Sequence, residues 1–384
     1  MKILIVQLLI TMTICCEAFY QPFKHGKMKR IEPNTLEELK TALCTKDKDG
    51  KCDDEPRKII IKKIFDFTDS EGYKTELGCF HLSEPLKCKV YGQLKLNINE
   101  QCNGLEPTDV TYSIAGRVGL DVGSNKIIEG SKKGGLMGKG LMMMNVKNVE
   151  IRKLRITDIN PRVIWGGDAI DIRNSQNILI DGCYIKNIGR QMMVTHFGSS
   201  TGILVRNTVF DGNTPFSPYC NGRHYWLWLF LGEADQIAMQ NNVIFHTNGR
   251  GPHLHAKKKS ILHLIQNIFY DIKSPGLLIE QDDPETSILA EGNIFYGVEY
   301  VVRQCSGHIF FPKTAKEAEQ CKAVLGRECL VNKVEDSKNA DPTNDLVVLE
   351  DFRKIKSSMV CPIKMKNSIT KQIKIPKVVK KLIE

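Results

Sequence analysis

The sequence predicts an all-β fold, a single-stranded parallel β-helix closed at its start by a capping helix. Three observations carry that expectation. From about Val146 to Val302 the chain repeats a short apolar strand, a polar turn and another strand, without helical periodicity between them. The repeats align on a recurrent Asn: Asn207, Asn241, Asn267 and Asn293 stand 34, 26 and 26 residues apart, and Gly182 holds the same place 25 residues earlier. Ahead of them, Thr35-Leu-Glu-Glu-Leu-Lys-Thr-Ala-Leu43 has the pattern of a short amphipathic helix.

In chain order, residues 1–18 read as a signal peptide. Lys2 is the basic start, Ile3 to Cys15 the apolar run, and Cys16-Glu-Ala18 the cleavage site. The run is shorter than the ~20 apolar residues a membrane span needs. The expected product is secreted, extracellular and without a membrane anchor. In the helix, Thr35 as cap and Glu38 three residues on form a capping box. Solenoid ends need covering, so this helix is expected to cap the first coil.

The repeats follow. Ile203-Leu-Val-Arg-Asn-Thr-Val-Phe210 matches Ile237-Ala-Met-Gln-Asn-Asn-Val-Ile244. The next two are His263-Leu-Ile-Gln-Asn-Ile-Phe-Tyr270 and Leu289-Ala-Glu-Gly-Asn-Ile-Phe-Tyr296. A period in the twenties built from strands suits a parallel β-helix. Each coil buries its inward Ile, Val, Leu and Phe on those of its neighbours. An Asn at a recurrent bend either takes a left-handed backbone or bonds its side chain to the next coil, so a ladder of amides is expected. The step of 34 implies an insertion, placed in the Tyr219 to Trp228 region. A β-sandwich would alternate polarity more cleanly, and no leucine-rich consensus is present. The β-helix domain is expected over residues 19–363 and a Lys-rich tail over 364–384.

The formal charge is +10, and losing Lys2 with Glu17 leaves it unchanged. A basic exported chain suits an acidic polymer, whether a polysaccharide or extracellular nucleic acid. The scattered Lys equally describe a solvated surface, apart from the run Lys257-Lys-Lys259. Eleven of the thirteen Cys lie beyond the signal and read as disulfides. The odd one is assigned to Cys183, a small hydrophobe within the strand Ile180-Asp-Gly-Cys-Tyr-Ile185. No C-x-x-C pair is present, so no zinc site is expected.

Several strings together resemble the pectin lyases of the polysaccharide lyase 1 (pectate/pectin lyase) family. They are Thr157-Asp-Ile-Asn-Pro-Arg-Val-Ile-Trp-Gly-Gly-Asp-Ala-Ile170, Ile188-Gly-Arg-Gln191, Cys220-Asn-Gly-Arg-His-Tyr-Trp226, Gly249-Arg-Gly-Pro252 and Leu289-Ala-Glu-Gly-Asn293. They come in family order, and the resemblance runs from about Thr35 to about Leu330. It implies a right-handed parallel β-helix enzyme, a carbon–oxygen lyase that cleaves the pectin backbone by β-elimination. It implies disulfides Cys79–Cys102, Cys88–Cys220 and Cys321–Cys329. Cys44–Cys52 can then close a short polar loop, and Cys305 with Cys361 would pair by default. The implied partner is pectin or polygalacturonan, bound by a monomer without metal or cofactor, with no nucleic acid and no membrane.

β-Elimination needs a base near C5 of the uronate and positive charge near its carboxyl group. By resemblance Arg250 is the base, Arg190 faces the substrate carboxyl, and Asp168 is the retained acid that orients an arginine. Read without the family, Arg250 is a surface ion-pair partner and Arg190 a structural arginine bonded to Asp168. Asp171 lies three residues on, and strand alternation turns it away from Asp168. A converging pair of acids would suit a hydrolase instead. Trp165 and Trp226 match cleft aromatics that stack on sugar rings, Trp226 fits packing under a loop equally well, and Trp228 is expected to be packed.

Three departures surround the site. His253 stands where the family usually has Lys, and His is mostly neutral at pH 7. Lys257 is the candidate to replace that charge. The segments Cys79-Phe-His-Leu82 and Asn99-Glu-Gln-Cys102 lack the usual Trp, and Phe19 to Glu32 replaces a Gly-rich segment. These changes point to an altered subsite preference, toward less esterified pectin. The competing readings are a weak or inactive polysaccharide-binding β-helix protein and a pectate lyase or polygalacturonase-like enzyme.

Overall fold

Short strands separated by left-handed residues turn the chain through repeated corners. The computed structural model describes residues 20–21, 28–81, 90–196, 198–256, 258–273, 279–281, 284–338, 342, 344–355, 362 and 376–377. It is a parallel β-helix of three sheets holding ten, eight and nine strands. The ten-stranded sheet runs from Lys29–Ile31 to His308–Phe310, the eight-stranded from Leu120–Asp121 to Val302–Cys305, and the nine-stranded from Ile64–Asp66 to Lys333–Glu335. Neighbouring strands come from successive coils. One core file reads Ile178, Ile203, Ile237, Leu262, Ile288 and Ile309, each paired with the next. Packing like on like removes each apolar side chain from water at about 25 cal/mol per Å².

The amide ladder is present, with Asn267 and Asn293 as expected, while Asn242 and Thr208 take the places expected of Asn241 and Asn207. Asn242, Asn267, Asn293 and Asn332 form it: each Nδ2 of the first three donates to the next Oδ1 and to a backbone carbonyl of the preceding coil. Thr208 and Cys183 continue the same file upstream. Asn207 and Asn241 sit one place earlier, in the left-handed backbone at φ 51 and 53, where other coils use Gln266, Gly292 and Gly182. The corner needs two adjacent residues, one left-handed and one stacking inward. Asn serves either role, so aligning on Asn alone merges two positions. Cys183 is a free, buried thiol as expected.

The helix Leu36–Leu43 caps the first coil, and Leu39, Ala42 and Leu43 enter the main core. Thr35 Oγ1 accepts from Glu38 N at 3.1 Å, but the Glu38 carboxylate takes Asn34 N instead of closing the box on Thr35. Two helices not read from the sequence follow the coils, Ala315–Leu325 and Val347–Lys354. Val348, Leu349 and Phe352 lie over Ile261, Leu289 and Phe310 on the ten-stranded sheet. Tyr20 packs on the same sheet against Leu179, Leu204, Ala238 and Ile265. The insertion falls as placed, between Val209–Asp211 and Trp228–Leu231, and Trp228 is fully buried against Phe210.

A small antiparallel excursion, Tyr73–Phe80, Leu94–Leu96 and Pro107–Ser113, leaves the early coils and pairs with Val163–Ile164. Disulfides Cys79–Cys102, Cys44–Cys52 and Cys321–Cys329 are formed. Cys220 is disulfide-bonded, and Cys88 and Cys361 lie outside the described residues. Residues 1–18 are outside them too, as is nearly all of 364–384. No described helix is long and apolar enough to cross a membrane.

Asp235 gives the coil stack a pH signature. It accepts bonds from Ser200 N and Thr195 Oγ1, yet burial raises its carboxyl from 3.8 to about 6. Between those values the folded chain holds a proton that the unfolded chain has released. Stability from this group is therefore full below about pH 4 and is lost as pH rises through 6, by roughly 3 kcal/mol. Asp235→Asn should remove that fall. Parallel stability-versus-pH curves for the two proteins in urea would refute it.

Candidate active site

Four successive coils turn at one corner, between the nine-stranded and the eight-stranded sheet. The turns are residues 160–169, 189–192, 212–227 and 246–252. Asp168, Arg190, Trp226 and Arg250 each come from a different one, so distant sequence positions meet side by side.

Asp168 is placed by the glycine before it. Gly167 has φ 130, and a Cβ there would stand 1.9 Å from Gly116 O. Asp168 Oδ1 accepts from Gln191 N at 2.7 Å, while Oδ2 lies 4.0 Å from Arg190 Nη1. The contact with Arg190 is thus Coulombic and not the direct hydrogen bond expected. Burial raises the Asp168 carboxyl pKa, and Arg190 pulls it the other way.

Arg190 lies against the Trp165 ring, 3.7 Å from its centroid. That ring therefore holds a guanidinium as a cation–π partner, and its N–H donates to Gln101. Burial lowers the Arg190 pKa; Asp168 opposes this and Arg250 adds to it.

Arg250 adopts a left-handed backbone at φ 52, beside Gly249 at φ 107. This conformation recurs at corners throughout the coils, as at Asn207, Asn241 and Gln266, and costs a non-glycine residue of order 1–3 kcal/mol. The backbone around it is bonded to the insertion: Trp228 N donates to Arg250 O, and the Asn221 and Asn248 amides pair reciprocally. Its guanidinium faces the rings of Tyr225 at 4.9 Å and Trp226 at 5.4 Å. The Trp226 indole donates to Gln93 at 3.1 Å, and His81 meets its edge at 5.9 Å. Burial lowers the His81 pKa to about 4, helped by Lys95 and Arg250, so this histidine is neutral at ordinary pH.

Other expected residues fall as follows. Asp171 stays within electrostatic reach of Asp168 and Arg190, and Asp168 precedes the strand Ile170–Arg173. Its carboxylate is engaged by Arg173 at 2.6 Å and His196 at 2.9 Å. His253 pairs with Leu229 in the eight-stranded sheet and is 9% exposed. Lys257 lies outside the described residues. Among the described residues no three His, Cys, Asp or Glu are grouped to hold a metal. Tyr225, His81 and Gln93 were not singled out by the sequence. Tyr225 lay inside a quoted string, and His81 in a segment noted only for its missing Trp.

The arrangement puts two guanidinium groups, each against an aromatic ring, and a half-buried carboxyl on neighbouring turns of one corner. Residues 113–295 match the family described as right handed beta helix region. Pectin lyase A of Aspergillus niger is 34% identical over 313 residues, covering 80% of this chain and 78% of that protein. Pectin lyase A of Emericella nidulans is 33% identical over 314 residues, at 80% and 78%. The chain belongs to the pectate/pectin lyase family.

Solved structures agree on the right-handed parallel β-helix of this family. A pectate lyase from Bacillus sp. N165 in complex with trigalacturonate superposes with TM-score 0.52 at 13% identity, covering 84% of this chain and 87% of that one. A second pectate lyase gives 0.51 at 14% identity, with 89% of each chain covered. The pectate/pectin lyases are polysaccharide lyases, and the corner just described is where this member carries its paired arginines.

Proposed function

We propose that this chain is a secreted pectin lyase cleaving methyl-esterified (1→4)-α-D-galacturonan by β-elimination. The observation that carries the reading is that Arg190 and Arg250 come from neighbouring turns of one corner, Arg190 against Trp165 and Arg250 against Tyr225 and Trp226. Arg250 takes the C5 proton. The electron pair left behind forms the C4–C5 double bond, the C4–O4 bond breaks, and O4 leaves as the reducing-end hydroxyl of the departing fragment after taking a proton from water. Arg190 stands at the carboxyl group, where enolate charge develops, with Asp168 setting its field. A guanidinium supplied by the chain suits a neutral methyl ester, which has no charge for a metal ion to bridge.

A guanidine base is scarce at neutral pH. Turnover should rise toward alkaline pH. In this reading Trp165 and Trp226 face the sugar path and His253 stands at its flank. Three disulfides fit an oxidising compartment, in keeping with residues 1–18 as a signal. One observation favours a second reading: His253 in place of Lys thins the positive charge, as a weak or purely binding descendant would.

The test is ultraviolet absorbance of the unsaturated uronide, with highly esterified pectin, EDTA and pH 6 to 10. Chelator-insensitive absorbance that climbs with pH is expected, with unequal rates on high- and low-ester pectin. New reducing ends without absorbance would mean a hydrolase. Neither signal from folded protein would mean a binder.

A further inference from the structure

We propose that Gln93 is a positioning residue that keeps the acid-bearing and arginine-bearing turns in register, a role that rests on the lyase reading above. Gln93 belongs to no coil. It sits just ahead of Leu94–Leu96 in the antiparallel excursion and is 2% exposed. Its side chain spends both ends on the active corner. Nε2 donates to Pro161 O at 2.9 Å, in the turn that ends at Asp168, and to Gly189 O at 2.9 Å, the residue before Arg190. Oε1 accepts from Trp226 Nε1 at 3.1 Å, and that ring faces Arg250. Its own backbone is held in turn, N–H donating to Ser217 O and C=O accepting from His81 N.

An amide is the side chain this place calls for. It must donate twice to carbonyls and accept once from an indole, without net charge beside two arginines. Leu has the size without the bonds. Glu has the size and the acceptor, and it donates only while protonated. The turns it joins belong to separate coils; backbone bonds such as Met192 N to Trp226 O and Arg190 N to Gly167 O tie their main chains, and Gln93 adds the side-chain tie that fixes the Trp226 indole against the 189–190 turn. A second buried tie runs the same way: His224 bonds Trp226 O at 2.7 Å and also the Arg190 backbone. Displacing a reacting group by about 1 Å costs on the order of 100-fold in rate.

Gln93→Leu should therefore lower kcat roughly 30- to 100-fold with KM changed less than about threefold. In a Trp226→Phe background the same change should cost much less, since its indole partner is gone. Gln93→Glu supplies the readout that a merely structural role would not move. Its kcat relative to wild type should fall as pH rises and the carboxyl loses its proton, because the carboxylate repels both carbonyls. Its near-identical shape guards against loss of fold.

Wild-type kcat in Gln93→Leu, with a flat Glu-to-wild-type ratio across pH, overturns the proposal. If the wild-type chain forms no unsaturated product, it is the lyase reading that has failed. Gln93 is then judged by calorimetry with methyl-esterified trigalacturonate and by tryptophan emission. Weaker binding and shifted emission in Gln93→Leu sustain the positioning role, and two unchanged signals overturn it.

Discussion

Arg250→Ala is expected to lower kcat on pectin by a factor on the order of 10³–10⁴ while leaving thermal stability nearly unchanged or slightly raised. The rate loss combines two removals, the group that takes the C5 proton and a positive charge beside the developing enolate. The stability expectation comes from the backbone: Arg250 holds φ 52, and its side chain contributes ring contacts with Tyr225 and Trp226. Arg250→Gly relieves the φ cost outright and should be at least as stable as the Ala variant. Steady-state kinetics and a thermal melt on the same preparations decide it. A variant that keeps more than about a tenth of wild-type kcat would place the base elsewhere.

Asn267→Leu should be the most damaging single change in the coil stack, lowering unfolding free energy by roughly 3–5 kcal/mol. Asn267 is fully buried and stands mid-ladder. Its Oδ1 accepts from Asn242 N and Nδ2, its own N–H donates to Asn293 Oδ1, and its Nδ2 serves both Met239 O and Asn293 Oδ1. Leucine fills the volume but strands two donors of Asn242 and the Met239 carbonyl inside an apolar wall. Each unsatisfied buried group costs about 1–3 kcal/mol. Asn241→Leu, one residue away, removes a left-handed residue from the corner and breaks no rung. A chemical-denaturation comparison in which the two cost the same would show that the ladder is not what holds these corners.

That pair of neighbours also marks how far the sequence could be read. Strand identity and coil period were legible because inward Ile, Val, Leu and Phe recur whatever the corner looks like. The register of the ladder was not, since Asn suits both corner positions and only the coordinates separate Asn241 from Asn242. The capping helix was legible from its own Thr35 and Leu39. The helix Val347–Lys354 was not, because the apolar patch it covers, Ile261, Leu289 and Phe310, exists only once three coils have stacked. At the site, the strings around Asp168, Arg190 and Arg250 fall on adjacent turns of one corner. What Trp165 does there escaped them: a pattern of letters shows an aromatic, and distance alone shows that its face is occupied by Arg190 at 3.7 Å. Gln93 escaped for the same reason, its partners lying 68, 96 and 133 residues away.

Those separations bear on how the molecule comes into being. A coil closes on its predecessor after some 25 residues, as from Cys183 to Thr208, a short loop that closes quickly and can do so as soon as its neighbour exists. The corner with the arginines must wait for an excursion that left the chain early to be met by turns that arrive much later. Growth of the stack and ripening of the cleft are thus separate events. A population can be fully coiled, by circular dichroism, before it is competent. Gentle reduction of Cys79–Cys102, which staples the excursion and lies outside the stack, would be the way to catch the first state without the second.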